Sequence, residues 1–245
     1  MNEDNMRTKH IVMFSGGKDS TAMLLMMVEN SMPIDEIIFC DTGLEFEELY
    51  SHIGQVEKYI GRKITILKPD KGFEYWLLNH ELTKGKHKGC KGYGFPSIRI
   101  RWCTNRLKEE VIKKYLKKYK DYNIVEYVGI AYDEIKRVKN KKYPLVDNKI
   151  TEKMALDYCY SKGFNFNGLY DKFDRLGCWC CPLQSLSALK KLKKYYPSKY
   201  KKIIEWEKQL KHQREEENRT DSWMFKTRHS IEELDKRFNK EIEDE

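Results

Sequence analysis

Nowhere in the 245 residues do eighteen apolar residues stand together, and no basic start leads into a long apolar run. The chain therefore reads as having neither membrane span nor export signal, and is expected in the cytoplasm. Internal repeats and low-complexity linkers are missing too, and the length suits one good-sized α/β domain with a C-terminal elaboration. There is no second C-x-x-C, and no cysteine follows Cys181. In a cytoplasmic chain the seven cysteines read as thiols or metal ligands, not disulfides. Acid is scarce in one stretch: residues 84–120 carry 13 Lys and Arg against only Glu109 and Glu110. Tyr93, Phe95, Trp102, Tyr115 and Tyr119 interleave with those cations, as they do on nucleic-acid surfaces. From 107 to 120, however, Leu107, Val111 and Tyr115 have the spacing of an amphipathic helix, which explains those lysines as a solvated face.

What is present is organised around residues 10–30, where a short apolar run ends in Ser15-Gly16-Gly17-Lys18-Asp19-Ser20 and passes into an apolar helical pattern. Ile11 to Phe14 suits a buried parallel strand, and Ala22, Met23, Leu25, Met26 and Met27 suit a helix interior. Gly16 and Gly17 let backbone amides approach an anion, and the helix that follows presents free N–H groups and a positive dipole end. The nucleoside-triphosphatase pattern GxxxxGK[ST] is not met, because no earlier glycine stands at the required spacing. Alternating strands follow at Ile34–Cys40, Lys63–Lys68 and Ile124–Gly129, with helices between them. The pattern predicts an α/β fold, an open, mostly parallel sheet with helices on both faces, plus a C-terminal Cys-rich helical extension. We place the boundary between residues 1–163, the nucleotide-binding part, and 164–245, the Cys-rich knuckle and helices of the same globule.

SGGKDS resembles the PP-loop of the adenine-nucleotide alpha-hydrolase superfamily. The resemblance implies that Ser15, Gly16, Gly17 and Ser20 cradle phosphate, Lys18 neutralises it, and Asp19 orients the loop or a metal. Asp41-Thr42-Gly43 closes the second strand on the same sheet rim, and DTGLEFEEL resembles the DTGxxFPET segment of phosphoadenosine phosphosulfate (PAPS) and adenosine phosphosulfate (APS) reductases, with Glu47 where proline is usual. Arg101-Trp102-Cys103-Thr104, followed by Leu107 and Lys108, is similar to the R-x-C-T-x-x-L-K segment of the same reductase-like family. It implies that Arg99, Arg101 and Lys108 face nucleotide phosphates or a sulfonyl group, with Thr104 as a helix cap. Gly129 to Glu134 and Arg137 resemble G-x-R-x-x-E-S-x-x-R in part, with Ala131 for arginine, Ile135 for serine and Arg137 one place early. Glu134 and Arg137 are kept as substrate contacts.

Cys178 and Cys181 stand at C-x-x-C, with Cys180 between them and Pro182 after. Two thiolates of one turn reach one metal or cluster, and a four-thiolate site needs more ligands. Cys103, Cys159, Cys180 and Cys90 are candidates in that order, whereas Cys40 reads as a small buried residue. A redox C-x-x-C or a chance cluster of packed cysteines is the alternative. Asp171 to Gln184, DKFDRLGCWCCPLQ, resembles the cysteine segment of phage and bacterial reductase-like proteins and of the sulfurtransferase subunit that makes phosphorothioate DNA. That likeness favours an iron–sulfur cluster, [4Fe-4S], over zinc.

The resemblance implies an enzyme that binds ATP with Mg²⁺, adenylates an acceptor and transfers sulfur with the help of the cluster, Lys18, Asp19 and Cys103 being catalytic. Its partners would be an adenine nucleotide, a nucleic-acid acceptor (DNA or tRNA) and a sulfur-donor protein. One alternative is a sulfonucleotide reductase that releases sulfite from PAPS or APS, although the E-C-G-L-H tail of assimilatory reductases has no counterpart after Cys181. The other is a non-catalytic nucleotide- or nucleic-acid-binding module with structural zinc.

Overall fold

The computed structural model describes residues 7–243. In chain order the elements are β1 (Thr8–Phe14), α1 (Lys18–Glu29), β2 (Glu36–Cys40), α2 (Glu47–Ile60), β3 (Thr65–Leu67), α3 (Trp102–Thr104), α4 (Glu110–Leu116), β4 (Asn123–Val128), α5 (Pro144–Asp147), α6 (Glu152–Ser161), α7 (Leu169–Lys172), α8 (Leu186–Tyr195), α9 (Pro197–Glu216) and α10 (Ile231–Glu243). They divide between two compact units. One holds residues up to Asp41, 45–68 and 109–176, the other 42–44, 69–108 and the chain from Gly177 on. The boundary expected at residue 163 falls inside the first unit, because the segment after α6 is bound into it. Phe164 and Phe166 pack on the buried His52 of α2 at ring-centroid distances of 5.6 and 4.3 Å.

In the first unit the strands form one parallel sheet in the order β3-β2-β1-β4. Phe14 pairs with Phe39 and Met13 with Val128, so β1, β2 and β4 end on one rim. Side chains alternate across a strand. Ile11, Ile38 and Leu67 therefore share one face, covered by Val111, Ile112, Tyr115 and Leu116 from the α4 region. Phe39 belongs to the opposite face and meets Tyr50 of α2 edge-on at 6.4 Å. The amphipathic reading of 107–120 is accounted for by that packing. α1 is buried nearly all round, from Ser20 to Leu25, as its continuous apolar composition requires. Thr151 caps α6, its hydroxyl accepting from the Met154 N–H at 3.3 Å.

The second unit is built on aromatic packing. Trp206 of α9 stacks on Trp179 at 5.5 Å and tilts against Phe73 at 5.3 Å, and Phe73 in turn lies 5.0 Å from Trp102. α8 and α9 break at Pro197, and proline takes the first position of α9. Thr104 is not a cap. The helix starts earlier, at Trp102, whose buried indole N–H donates to Gly94 O at 3.0 Å and so pulls the first turn inward. The buried carboxylate of Glu207 accepts from the Phe225 N–H at 2.6 Å and the Ile231 N–H at 2.8 Å, satisfying the otherwise free amide that opens α10. No helix among the described residues is long and apolar enough to cross a membrane.

Gly129 sets how closely β4 approaches α1. A Cβ there would lie 2.6 Å from both N and Cα of Ser20. Gly129→Ala is expected to lower unfolding free energy by about 1–3 kcal/mol, as overpacking does. Gly54→Ala, on the exposed side of α2 with nothing within 4 Å, is the control and should gain about 0.5–1 kcal/mol. Urea titration of both variants checks the pair, and equal effects would remove the steric argument.

Candidate functional site

The strand order reverses at β1: β2 and β3 continue on one side and β4 lies on the other. In open parallel sheets such a switch point leaves a crevice beyond the strand ends. Here it holds a polar cleft of about 180 Å³ lined by the Ser15–Ser20 loop, by Gly129, Glu134 and Arg137 after β4, and by Tyr170, Arg175 and Leu176. The volume suits a phosphate chain more than a whole nucleotide.

The loop is held in shape by its own serines. Ser20 Oγ accepts from the Ser15 N–H at 3.1 Å and donates to Gly17 O at 3.0 Å. Gly16 adopts φ +77°, a conformation that favours glycine. A Cβ on Gly17 would stand 3.5 Å from Tyr170 Oη, so the missing side chain leaves the cradle open toward the cleft. Tyr170 Oη accepts from the Lys18 N–H at 2.8 Å, taking an amide at the start of α1 that an anion could use.

Cations and carboxylates alternate around the loop. Lys18, almost wholly buried, places Nζ 3.1 Å from Glu152 Oε2, 3.6 Å from Asp19 Oδ2 and 5.7 Å from the Tyr170 ring centre. Glu134 takes Arg175 at 2.6 Å and also pairs with Arg137. Burial pushes the Asp19 carboxyl up to about 6; Lys18 opposes this, while Glu152 and Glu134 add to it. Asp19 Oδ1 is buried without a hydrogen-bond partner. An unsatisfied buried oxygen costs stability, and a bound cation or a ligand hydroxyl would satisfy it. Mg²⁺ therefore fits this donor on chemical grounds.

The other expected site residues fall as follows. Asp41 follows β2 on the sheet rim, but its carboxylate is engaged by Tyr50 Oη at 2.6 Å and Lys68 Nζ at 3.2 Å. Thr42, Gly43 and Arg101 belong to the second unit and are not among the residues lining the cleft. Cys159, a ligand candidate by sequence, is instead a packing residue of the first unit. Its fully buried thiol donates to Lys18 O at 3.5 Å, and burial pushes it up to about 12. Glu152, Tyr170 and Arg175 line or flank the cleft, and the sequence motifs do not point to them. Arg175 closes the Phe173-Asp174-Arg175 triplet before the cysteines, which is a usable signal. Glu152 follows the Thr151 cap, while Tyr170 carries none.

The second unit gathers Cys103, Cys178, Cys180 and Cys181. Burial drives the Cys180 thiol well up, and Cys178, Cys181 and Cys103 add to that in turn. Burial likewise raises Cys103; Arg101 and the neighbouring Thr104 oppose the shift. Cys178 Sγ lies 3.8 Å from Thr42 Oγ1. The turn is held through its backbone. The Trp179 N–H donates to Leu44 O at 3.1 Å, the Cys181 N–H to Cys178 O at 3.0 Å, and Lys226 Nζ donates to Pro182 O at 2.5 Å and also to Gln184 O. Lys226 faces Cys181, and burial draws its ammonium below the usual range. Among the described residues no three Cys, His, Asp or Glu side chains converge as metal ligands. In kind, four cysteines of one unit are the donors a thiolate-bound centre takes.

Fold and cleft define a parallel α/β protein with a glycine loop and a polar cleft at its switch point. Residues 9–184 match the phosphoadenosine phosphosulfate reductase domain, more than half of the chain, and the chain belongs to that family. An uncharacterized protein of Methanocaldococcus jannaschii is 30% identical over 231 residues, 88% of this chain. Adenosine 5'-phosphosulfate reductase of Geobacillus sp. (strain WCH70) is 28% identical over 175 residues, 67% of this chain and 69% of its own. The phosphoadenylyl-sulfate reductase of Candida auris, solved as a phosphate complex, shares the fold at TM-score 0.51 and 19% identity over 70% of this chain and 81% of that one. The chain spans under half the length of two Methanocaldococcus jannaschii relatives, 44% and 46%.

The raised Asp19 has a thermodynamic consequence. The folded protein holds that proton up to about pH 6, whereas the ordinary carboxyl releases it near 3.8. Stability from this group is present at low pH and is lost as pH rises from about 4 to about 6, by on the order of 2 kcal/mol. Asp19→Asn should lack that part of the slope, read as the difference between the two proteins' urea unfolding at pH 4.5 and pH 7. Identical slopes would show that Asp19 titrates normally.

Proposed function

We propose that the chain is a PP-loop enzyme that binds ATP by its phosphates in the switch-point cleft, adenylates an acceptor and replaces the activated oxygen by sulfur. The sulfur part is supported by the placement of Cys103, Cys178, Cys180 and Cys181 in one unit, in a chain that also has a polar cleft at its glycine loop. An acceptor carbonyl oxygen attacks the alpha phosphorus and pyrophosphate leaves. Sulfur at the sulfide level then displaces AMP, which departs with the oxygen. Lys18, with Arg137 and Arg175 at the rim, balances charge on the leaving pyrophosphate, as pre-placed cations do in phosphoryl and nucleotidyl transfer. Mg²⁺ held by Asp19 would add further neutralisation. Cys103, Cys178 and Cys181 would hold an iron–sulfur cluster able to carry the transferred sulfur, with Cys180 the reserve ligand. A nucleic acid is the acceptor class that matches the basic 84–108 stretch, which has no Asp or Glu.

The family match favours a second reading, release of sulfite from PAPS or APS. The two separate by product. Pyrophosphate release from ATP that rises with added tRNA or DNA supports sulfur transfer, and sulfite from PAPS supports reduction. Colourless protein carrying one zinc and no turnover would support a binding module instead. Lys18→Ala should cut either turnover at least about 100-fold, with circular dichroism of the folded protein retained. Unchanged turnover would take the loop out of the mechanism. Cys181→Ser should lower iron and labile sulfide in protein purified away from air, and full iron retention would exclude Cys181 as a ligand.

A further inference from the structure

The basic stretch that precedes Cys103 is built as a pinned base with an exposed tip. At the base, the buried guanidinium of Arg214 donates to Lys91 O at 3.2 Å and Gly92 O at 3.3 Å, and Arg219 donates to Lys91 O at 2.6 Å. Gly92 adopts φ +72°, and a Cβ there would meet Leu77 O at 2.3 Å. Phe95 stands edge-on to Phe225 at 5.2 Å, and Trp102 holds Gly94 O from the other side. The tip is a closed turn. The Ser97 N–H donates to Ile100 O at 3.0 Å, and the Ile100 N–H to Ser97 Oγ at 3.2 Å.

That ordered turn points apolar and cationic side chains at solvent in alternation. Ile98 is 79% exposed and Ile100 62%, and Arg99 and Arg101 are exposed beside them. From residue 84 to 108 the sequence has no Asp or Glu. Lys84, Lys86, Lys88 and Lys91 are exposed as well, and among the described residues none of these cations makes a salt bridge. Folding alone gives no reason to fix two isoleucines in water on a turn anchored by buried arginines. Such an arrangement is what a rigid scaffold gives a recognition loop.

We infer that the Ile98–Arg101 turn, with the lysines of 84–91, is the docking element for a single-stranded or looped nucleic acid, and that it leads the acceptor base toward the Cys103 segment. Isoleucine side chains wedge against or between unstacked bases, arginine planes lie on bases or phosphates, and lysines follow the backbone. A duplex offers the same charge but no free base faces. Binding stands on the turn itself; only what happens to the bound base rests on the sulfur-transfer reading.

The test is fluorescence anisotropy of the full chain with a fluorescein-labelled RNA stem-loop of roughly 17 nucleotides, a single-stranded DNA of the same length and a fully paired duplex, between about 50 and 200 mM KCl. One of the single-stranded probes should bind at least about tenfold tighter than the duplex. Ile98→Ser/Ile100→Ser should weaken it about tenfold at an unchanged salt slope. Lys86→Gln/Lys88→Gln should flatten the slope by about 0.7 for each phosphate no longer neutralised. ATP affinity, measured on the same samples, should stay as in the parent, which certifies the fold. Equal affinity for duplex and single strand, parental binding by the isoleucine variant, or equally tight binding of an acidic peptide would each overturn the inference. Pyrophosphate release driven by a small-molecule acceptor without nucleic-acid binding would sink this inference and leave sulfur transfer standing. Specific binding at the turn with no pyrophosphate release would do the reverse.

Discussion

The rest of the site depends on one close approach, that of the end of β4 to the first turn of α1. Gly129 has no Cβ, so its backbone lies directly against Ser20 and Asp19. Strand pairing brings β4 beside β1 in register from Thr8↔Asn123 to Met13↔Val128, and the chain then leaves the sheet at the height of the Ser15–Ser20 loop. Glu134 and Arg137 reach the cleft for that reason. A bulkier residue at 129 would push the two loops apart and open the crevice to water, where charge–charge interactions weaken.

Charge in the cleft is paired, each cation standing against a carboxylate. Lys18 is buried between Glu152 and Asp19, and both rim arginines lean on Glu134. In the free protein the carboxylates hold the cations in place. The consequence falls on Asp19, whose burial near other carboxylates keeps its proton to about pH 6. A phosphate chain would compete with the carboxylates for the cations, and a divalent ion would relieve Asp19.

Much of this was legible in the chain. SGGKDS after an apolar run marked the loop and the apolar strand segments marked a parallel sheet, because each rests on local backbone chemistry. Tyr170 was not legible: a lone tyrosine in a short polar helix has no local pattern, and only folding carries it to the Lys18 amide. A thiol reads the same in sequence whether it packs or ligates, and only the fold shows the Cys159 thiol of α6 bonded to Lys18 O. The division into units was hidden as well, since the chain enters the second unit for only three residues at Thr42–Leu44 and composition does not change there. Arg214 near the end of α9 and Arg219 just beyond it have no motif around them, and burial makes them the clamp on Lys91 and Gly92.

The cysteine turn shows how the second unit can offer thiols without depending on them for its fold. Small metal domains often unfold when the metal is lost, because coordination supplies their folding energy. Here the turn is fastened by main-chain bonds and by Lys226, and the unit around it is closed by the stacked Trp179 and Trp206. Burial meanwhile keeps the Cys103 and Cys180 thiols protonated, so they do not repel one another in the free protein. A thiophilic cation would reverse that balance by stabilising thiolates at the same positions.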